Sequence, residues 1–247
     1  MGLFEKFSNY RESRRQSRLA KASKSACNPK AIKEDRMGSL QFLASLEDCN
    51  DAVPALLPRF DFSLEHGIVD TREKEVAMEG ILSFEKSALP FLADWIKNSG
   101  KIAWPIKIVK KIGSDEEIVD ILKQAVVFGD VSFDQEATDK NYDILCYLRD
   151  YKIGDFAKKL VPFLNDPNER VRFACAEVLV EQGSNEYVGE LESFIADSSS
   201  ENIRIHQVVV KAFSDNQWKI RDLSKFPEGF SLPGVTISKD GGVKLNS

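Results

Sequence analysis

The sequence predicts an all-α chain of about five helix pairs that closes with a small β-hairpin. Three observations carry this. A short Val-Pro-x-Leu core recurs as Val53-Pro54-Ala55-Leu56, Leu89-Pro90-Phe91-Leu92 and Val161-Pro162-Phe163-Leu164, with proline-free copies at Val119-Asp120-Ile121-Leu122 and Leu191-Glu192-Ser193-Phe194. Each core is followed by a second segment whose apolar residues repeat at helical spacing. After Trp218 the chain changes character: Pro227, Gly229, Pro233 and Gly234 end helical behaviour, and two short alternating runs follow.

The elements follow in order. Residues 1–34 are basic and expected to form a disordered arm. A helix over 35–46 is expected to cover the open apolar face of the first pair. The core at 53–56 pairs with a helix over 70–84, opened by Asp70-Thr71-Arg72-Glu73 with acids in its first turn. The connector between them, 60–69, is too apolar for a free loop, so its aromatics should pack back on the helices. The remaining second helices are placed at 101–112, 141–151, 169–182 and 202–213. Gly113 and Gly183 sit just past two of them, as helix C-terminus signals. The acidic stretch 129–138 reads as an exposed connector. Val235-Thr236-Ile237 and Val243-Lys244-Leu245 flank Lys239-Asp240-Gly241-Gly242, a hairpin pattern. An isolated hairpin is marginal in water. Phe226, Phe230 and Leu232 are therefore expected to lay the tail, 217–247, against the last helix pair as a cap.

Residues 160–179 are the most informative stretch. Two apolar-periodic segments flank Asp166-Pro167, the second opens with Val171-Arg172, and the small pair Cys175-Ala176 precedes Leu179. This resembles the HEAT repeat, a helix–turn–helix unit. The motif is specific over 155–183 and extends as a looser pattern over 39–214. The cores recur at 54, 90, 120, 162 and 192, so the spacing of 36, 30, 42 and 30 residues is irregular and mostly shorter than the ~40–47 of HEAT and armadillo units. The resemblance implies a right-handed α-solenoid over 35–216, with second helices lining a concave face. It also implies that Arg172 pairs with the turn aspartate, Asp166.

Charge is unevenly distributed. Residues 1–36 hold ten Lys or Arg against four acids, whereas the remaining chain holds 24 basic and 35 acidic residues. A basic arm on an acidic body is the composition of an interaction tail. Leu3, Phe4, Phe7 and Tyr10 precede Arg11, Arg14, Arg15 and Arg18, which suits an anionic membrane surface or a partner groove. No run approaches the ~18 apolar residues of a membrane span. Cys27, Cys49, Cys146 and Cys175 are scattered without a C-x-x-C pair, which places the chain in a reducing, cytoplasmic setting. A monomer is expected.

Enzymatic readings find little. With only His66 and His206 there is no H-E-x-x-H and no His/Cys cluster for zinc, and no G-x-S-x-G, P-loop or G-x-G-x-x-G occurs. HEAT-built iron hydroxylases carry His-Glu pairs that this chain lacks. The run from Asp130 to Glu136 echoes a calcium loop but lacks its sixth-position glycine, and Asn141 stands where the bidentate glutamate belongs. No catalytic residue, metal ligand or cofactor is assigned.

The binding candidates are Trp104, Lys107, Lys111 and Phe173. Residues 95–114 contain five lysines and no acid. On a helix over 101–112, Ile102, Pro105, Ile106 and Val109 gather on the core face, while Trp104, Lys107 and Lys111 project opposite. A tryptophan beside ammonium groups suits an acidic or phosphorylated peptide, or a nucleobase stacked beside its phosphate. On 169–182, Val171, Cys175, Val178 and Leu179 face the core and leave Phe173, Glu177 and Val180 outward. The expected function is a non-enzymatic adaptor that holds a protein or peptide on the concave face. The alternative is a nucleic-acid binder resembling HEAT-like DNA glycosylases, with Trp104 and its lysines gripping the backbone, which the acidic body disfavours. A HEAT-type lyase, or its partner subunit, acting on a bound pigment is a third reading with no residue set.

Overall fold

The computed structural model describes residues 3–129, 131, 133–197, 199, 201–226 and 234–245. It is mostly helical, with a two-stranded antiparallel sheet at the C-terminal end. The chain divides into two compact units, Met1–Ala125 and Val126–Ser247, a boundary that the repeat pattern does not mark.

The first unit runs α1 (Leu3–Ala26), α2 (Lys33–Ala44), α3 (Cys49–Leu56), α4 (Gly67–Leu82), α5 (Leu89–Asn98), α6 (Ala103–Ile112) and α7 (Asp115–Ala125). Asp48 opens α3 by accepting from the Asn50 amide. The proline-bearing core ends quickly, because Pro58 carries the chain into a 3-10 turn, Leu57–Asp61. Pro90 sits in the first turn of α5, where its missing N–H costs nothing. Packing then orders the helices: α4 lies between α2 and α6, α3 and α5 pack on α4 and α6, and α7 packs on α5. Leu40, Leu43, Val53, Leu56, Ile81, Leu92 and Ile96 are fully buried between them. The crossing of α2 and α4 is close because Gly80 has no side chain. A Cβ there would lie 2.6 Å from Ala44 Cβ and 2.9 Å from its Cα, so a larger residue would force the helices apart.

The N-terminal arm, expected to be disordered, is helix α1. Composition misled because α1 has few large apolar residues, yet its C-terminal half needs only small ones to approach α2 and α3. Ala26 is fully buried and Ala22 nearly so. Arg15 pairs with Asp51 and lies 3.6 Å from Asp48, while the Arg18 guanidinium sits 4.1 Å from the Phe42 ring centroid. Deleting residues 1–33 is therefore expected to lower the thermal midpoint by several degrees, because α2 loses the helix that covers it. Deleting residues 1–9 should leave it nearly unchanged. Thermal circular dichroism of both truncations checks this, and equal midpoints would show that α1 contributes nothing to the fold.

The second unit runs α8 (Gln135–Leu148), α9 (Phe156–Leu160), α10 (Glu169–Glu181), α11 (Val188–Leu191), α12 (Ser193–Ala196), α13 (Ile203–Asp215), β1 (Val235–Ile237) and β2 (Val243–Leu245). Asp134 caps α8 through the Ala137 amide, and Asn168 caps α10 through the Arg170 amide. Gly183 takes φ +69° just beyond α10, the left-handed stop its position predicts. α10 packs between α8 and α13. Val171, Cys175, Val178 and Leu179 are all buried, as the face assignment for this helix requires. The 129–138 connector is shorter than its composition suggests. Phe133 is fully exposed, but Ala137 and Thr138 are already buried in α8, and Asn141 ties the start of the connector down by bonding both the N–H and the C=O of Val127 at 2.9 and 2.8 Å.

Arg172 does not reach the Asp166 carboxylate. It donates to the backbone oxygens of Asp166 and Pro167 at 2.8 and 3.1 Å, and its Nε donates to Asn202 Oδ1 at 3.1 Å. Asp166 spends its carboxylate on the Asn168 amide, 2.8 Å away, which turns the chain into α10. The link between successive elements is thus made by a neutral amide.

At the C-terminal end β1 and β2 pair antiparallel, Val235 opposite Leu245 and Ile237 opposite Val243, and β2 packs on α13. Trp218 meets Phe213 edge-on at 5.6 Å, and Trp218, Ile220 and Val243 are buried. Glu192, only 1% exposed, accepts from the Arg221 amide at 2.7 Å and the Lys225 ammonium at 2.8 Å, which staples the segment leading to the hairpin. Phe226 is partly buried, whereas Phe230 and Leu232 lie outside the described residues.

Candidate functional site

The α6 platform is built from the 3-10 turn upward. Arg59 in that turn is completely buried, and so is Glu73 of α4. Arg59 Nε donates to Glu73 Oε2 at 3.0 Å, its Nη2 donates to Asp70 Oδ1 at 2.8 Å, and its Nη1 donates to the Phe62 carbonyl at 3.1 Å. Arg36 of α2 approaches the same glutamate, Nε lying 3.1 Å from each carboxylate oxygen and Nη2 3.0 Å from Oε1. Lys74 completes the group with a 2.7 Å bond to Asp70 Oδ2. Three cations surround two carboxylates away from water. Such groups are tolerated only when every member is hydrogen-bonded, and here each has a partner. Burial by itself would raise the Asp70 pKa. The bonds from Lys74, Arg59 and the Leu64 amide outweigh it and hold that carboxyl below its ordinary value.

This network fixes the turn, and with it the next residue, Phe60. Phe60 is 3% exposed and presents its ring to Trp104 of α6 in a near-parallel stack, with centroids 6.0 Å apart and planes 9° apart. Trp104 remains partly exposed. The Lys107 ammonium lies 4.6 Å from its ring centroid, one turn along the helix, in cation–π range. Ile102, Pro105, Ile106 and Val109 are buried as expected, and so is Ile108, while Lys107, Lys110 and Lys111 are exposed. Lys111 lies one turn beyond Lys107, outside the ring contact. The arrangement is a flat, partly covered aromatic surface with a cation above it and further cations along one helix. It can hold a delocalised or negatively charged group by stacking and attraction.

The structure brings Trp104 and Lys107 together and keeps Lys111 on the same face. Phe173 belongs to the other unit. Its ring is partly buried, and the Arg204 guanidinium sits 3.9 Å from the centroid, so the side chain expected to be free is covered by its own fold. Arg204 in turn lies 3.6 Å from Glu169, a local charge pair that holds this cover in place.

Sequence reasoning missed the buried ion network entirely. Asp70, Glu73 and Lys74 share one face of α4 at i, i+3 and i+4, a spacing common on solvated helices, and only the approach of α2 and the Leu57–Asp61 turn brings Arg36 and Arg59 to them. It also missed a groove of about 370 Å³ between those two helices. Met37, Gly38, Ile68 and Val69 form its apolar part, with Lys33 and Arg72 at the rim, and Ile68 is 88% exposed there. The thiols are poor nucleophiles. Burial pushes Cys27 up to about 11 and raises Cys175 further. Among the described residues no group of three His, Cys, Asp or Glu side chains could hold a metal ion, and no helix is long and apolar enough to cross a membrane.

No family model matches this chain, and no curated protein is similar to it.

Proposed function

We propose that this protein is a non-enzymatic adaptor that holds an acidic segment of a protein partner on the α6 face of its first unit. The observation that carries the reading is the Trp104 platform: a partly exposed indole stacked on Phe60, with Lys107 4.6 Å from its ring and Lys111 exposed one turn on. Phe60 is immobilised by a buried network, so the aromatic surface is pre-formed and little ordering cost attends binding. An acidic peptide would place carboxylates or a phosphate against Lys107 and Lys111 and an apolar or aromatic side chain against Trp104. Phe173, in the second unit and covered by Arg204, has no part in this reading.

The finer architecture proposed is a HEAT-like right-handed solenoid. The motif at 160–179 supports it, as does the packing of α4 between α2 and α6 in one unit and of α10 between α8 and α13 in the other. The four free cysteines support a reducing, cytoplasmic location.

The test is a titration with two probes, an oligo-glutamate peptide carrying one phenylalanine and a single-stranded oligonucleotide, followed by tryptophan fluorescence. The peptide should bind, with a shallow dependence on salt. The combined change Trp104→Ala, Lys107→Glu, Lys111→Glu should abolish binding and leave helical content intact. Binding of the oligonucleotide alone, with affinity falling steeply as salt rises through counterion release, would replace this reading with the nucleic-acid one. A triple variant that binds the peptide as well as the native protein would remove the platform from consideration.

A further inference from the structure

Helix α1 carries a second surface, independent of the α6 platform. At 100° per residue, Arg11, Arg14, Arg18 and Lys21 fall within 80° of one another on the helix. With a rise of 1.5 Å per residue they form a stripe about 15 Å long. All four side chains are exposed, and Glu12 falls outside the stripe. The stripe runs beside the face that Ala22 and Ala26 bury, so the packing that fixes the helix also fixes the direction the cations face. Asp48 and Asp51, at the start of α3, are engaged by Arg15 rather than by the stripe. Arg18 lies over Phe42 and Arg14 over Tyr10, so each of these guanidinium groups meets a ring and keeps its full formal charge.

We infer that α1 is a peripheral membrane-binding helix that docks on an anionic lipid surface. Two features favour lipid over nucleic acid. In sequence, the same helix begins with Leu3, Phe4, Phe7 and Tyr10 ahead of the cations, and Tyr10 is 57% exposed. Apolar residues leading a basic stripe match the boundary between headgroups and acyl chains, whereas a phosphate backbone has no use for them. The rest of the chain is strongly acidic. A planar membrane meets only the outer face of α1, where the stripe lies, and acids elsewhere on the body are screened beyond a Debye length of about 8 Å at physiological salt. A cationic side chain near an anionic membrane strengthens binding severalfold, so four acting together are worth about a hundredfold or more.

The experiment is co-sedimentation of the full chain with vesicles of phosphatidylcholine containing about one third phosphatidylserine, and with vesicles of phosphatidylcholine alone. The native protein should pellet with the anionic vesicles only, and less so as salt is raised. The variant Arg11→Gln, Arg14→Gln, Arg18→Gln, Lys21→Gln should lose that binding by about a hundredfold with unchanged circular dichroism. Should the Arg18 change disturb its seat on Phe42, the triple variant that keeps Arg18 still carries the test, with a smaller loss. A parallel titration uses duplex DNA. Failure of the native protein to bind the anionic vesicles, retention of binding in the variants, or tighter stripe-dependent binding to DNA than to vesicles would each overturn the inference.

Discussion

Replacing Glu73 by alanine is expected to destabilise the protein by about 3–5 kcal/mol, the usual cost of removing one partner from a buried ion group. Glu73 is the acceptor shared by Arg36 and Arg59. Without it, two guanidinium groups that are 5% and 0% exposed lose their shared countercharge, and Asp70, bonded to Arg59 and Lys74, is the one carboxylate left in the group. The loss should exceed severalfold that of an ordinary surface substitution, which stays within about 0.5 kcal/mol. Urea denaturation followed by circular dichroism measures it directly. A variant with the native midpoint would show that the network is not closed to water. Trp104 provides a second readout, since loosening Arg59 frees Phe60 and should change the indole's emission before global unfolding. Acid supplies an independent check on the same group. Asp70 has a depressed pKa in the folded chain, so its contribution is fully present above the unfolded carboxylate value of about 4. It is lost as pH falls through the lower folded value. Stability should therefore drop with acidification below about pH 4, and the Asp70→Asn variant should show a weaker dependence there.

Leu179→Ala is expected to cost about 2–5 kcal/mol. Leu179 is fully buried on α10, beside Val178 and Cys175, at the helix that packs on both α8 and α13. A close-packed interior relaxes only partly around missing methyl groups, so a cavity remains. Phe173→Ala on the same helix should cost about 1 kcal/mol, because its partly buried ring contributes chiefly its contact with Arg204. Equal losses in the two variants, read from denaturation midpoints, would mean that the faces of α10 are assigned wrongly.

The helical character of this chain, most of its elements and its C-terminal hairpin were legible in the sequence, because they follow from local rules. The apolar spacing of 169–182 predicts both α10 and its buried residues, and Gly183 stops that helix by its φ alone. Val235-Thr236-Ile237 and Val243-Lys244-Leu245 pair antiparallel, as their alternation around the turn residues led us to expect. The core face of α6 was equally readable, since 3.6-residue periodicity places Ile102, Ile106 and Val109 together wherever the helix packs.

Tertiary structure decided what local rules do not reach. α1 is a helix although its composition suggests disorder, because Ala22 and Ala26 find a complementary surface on α2 and α3 that no property of residues 1–34 announces. Arg172 takes backbone oxygens and Asn202, which α13 brings within reach of α10. Phe173 is covered because Arg204, 31 positions away in the chain, arrives over its ring. The ion network of Arg36, Arg59, Asp70, Glu73 and Lys74 exists only where α2, the Leu57–Asp61 turn and α4 converge. Periodicity tells a residue whether it faces inward. Which charge it meets there depends on the relative placement of segments tens of residues apart, and a single sequence carries no local signal of that distance.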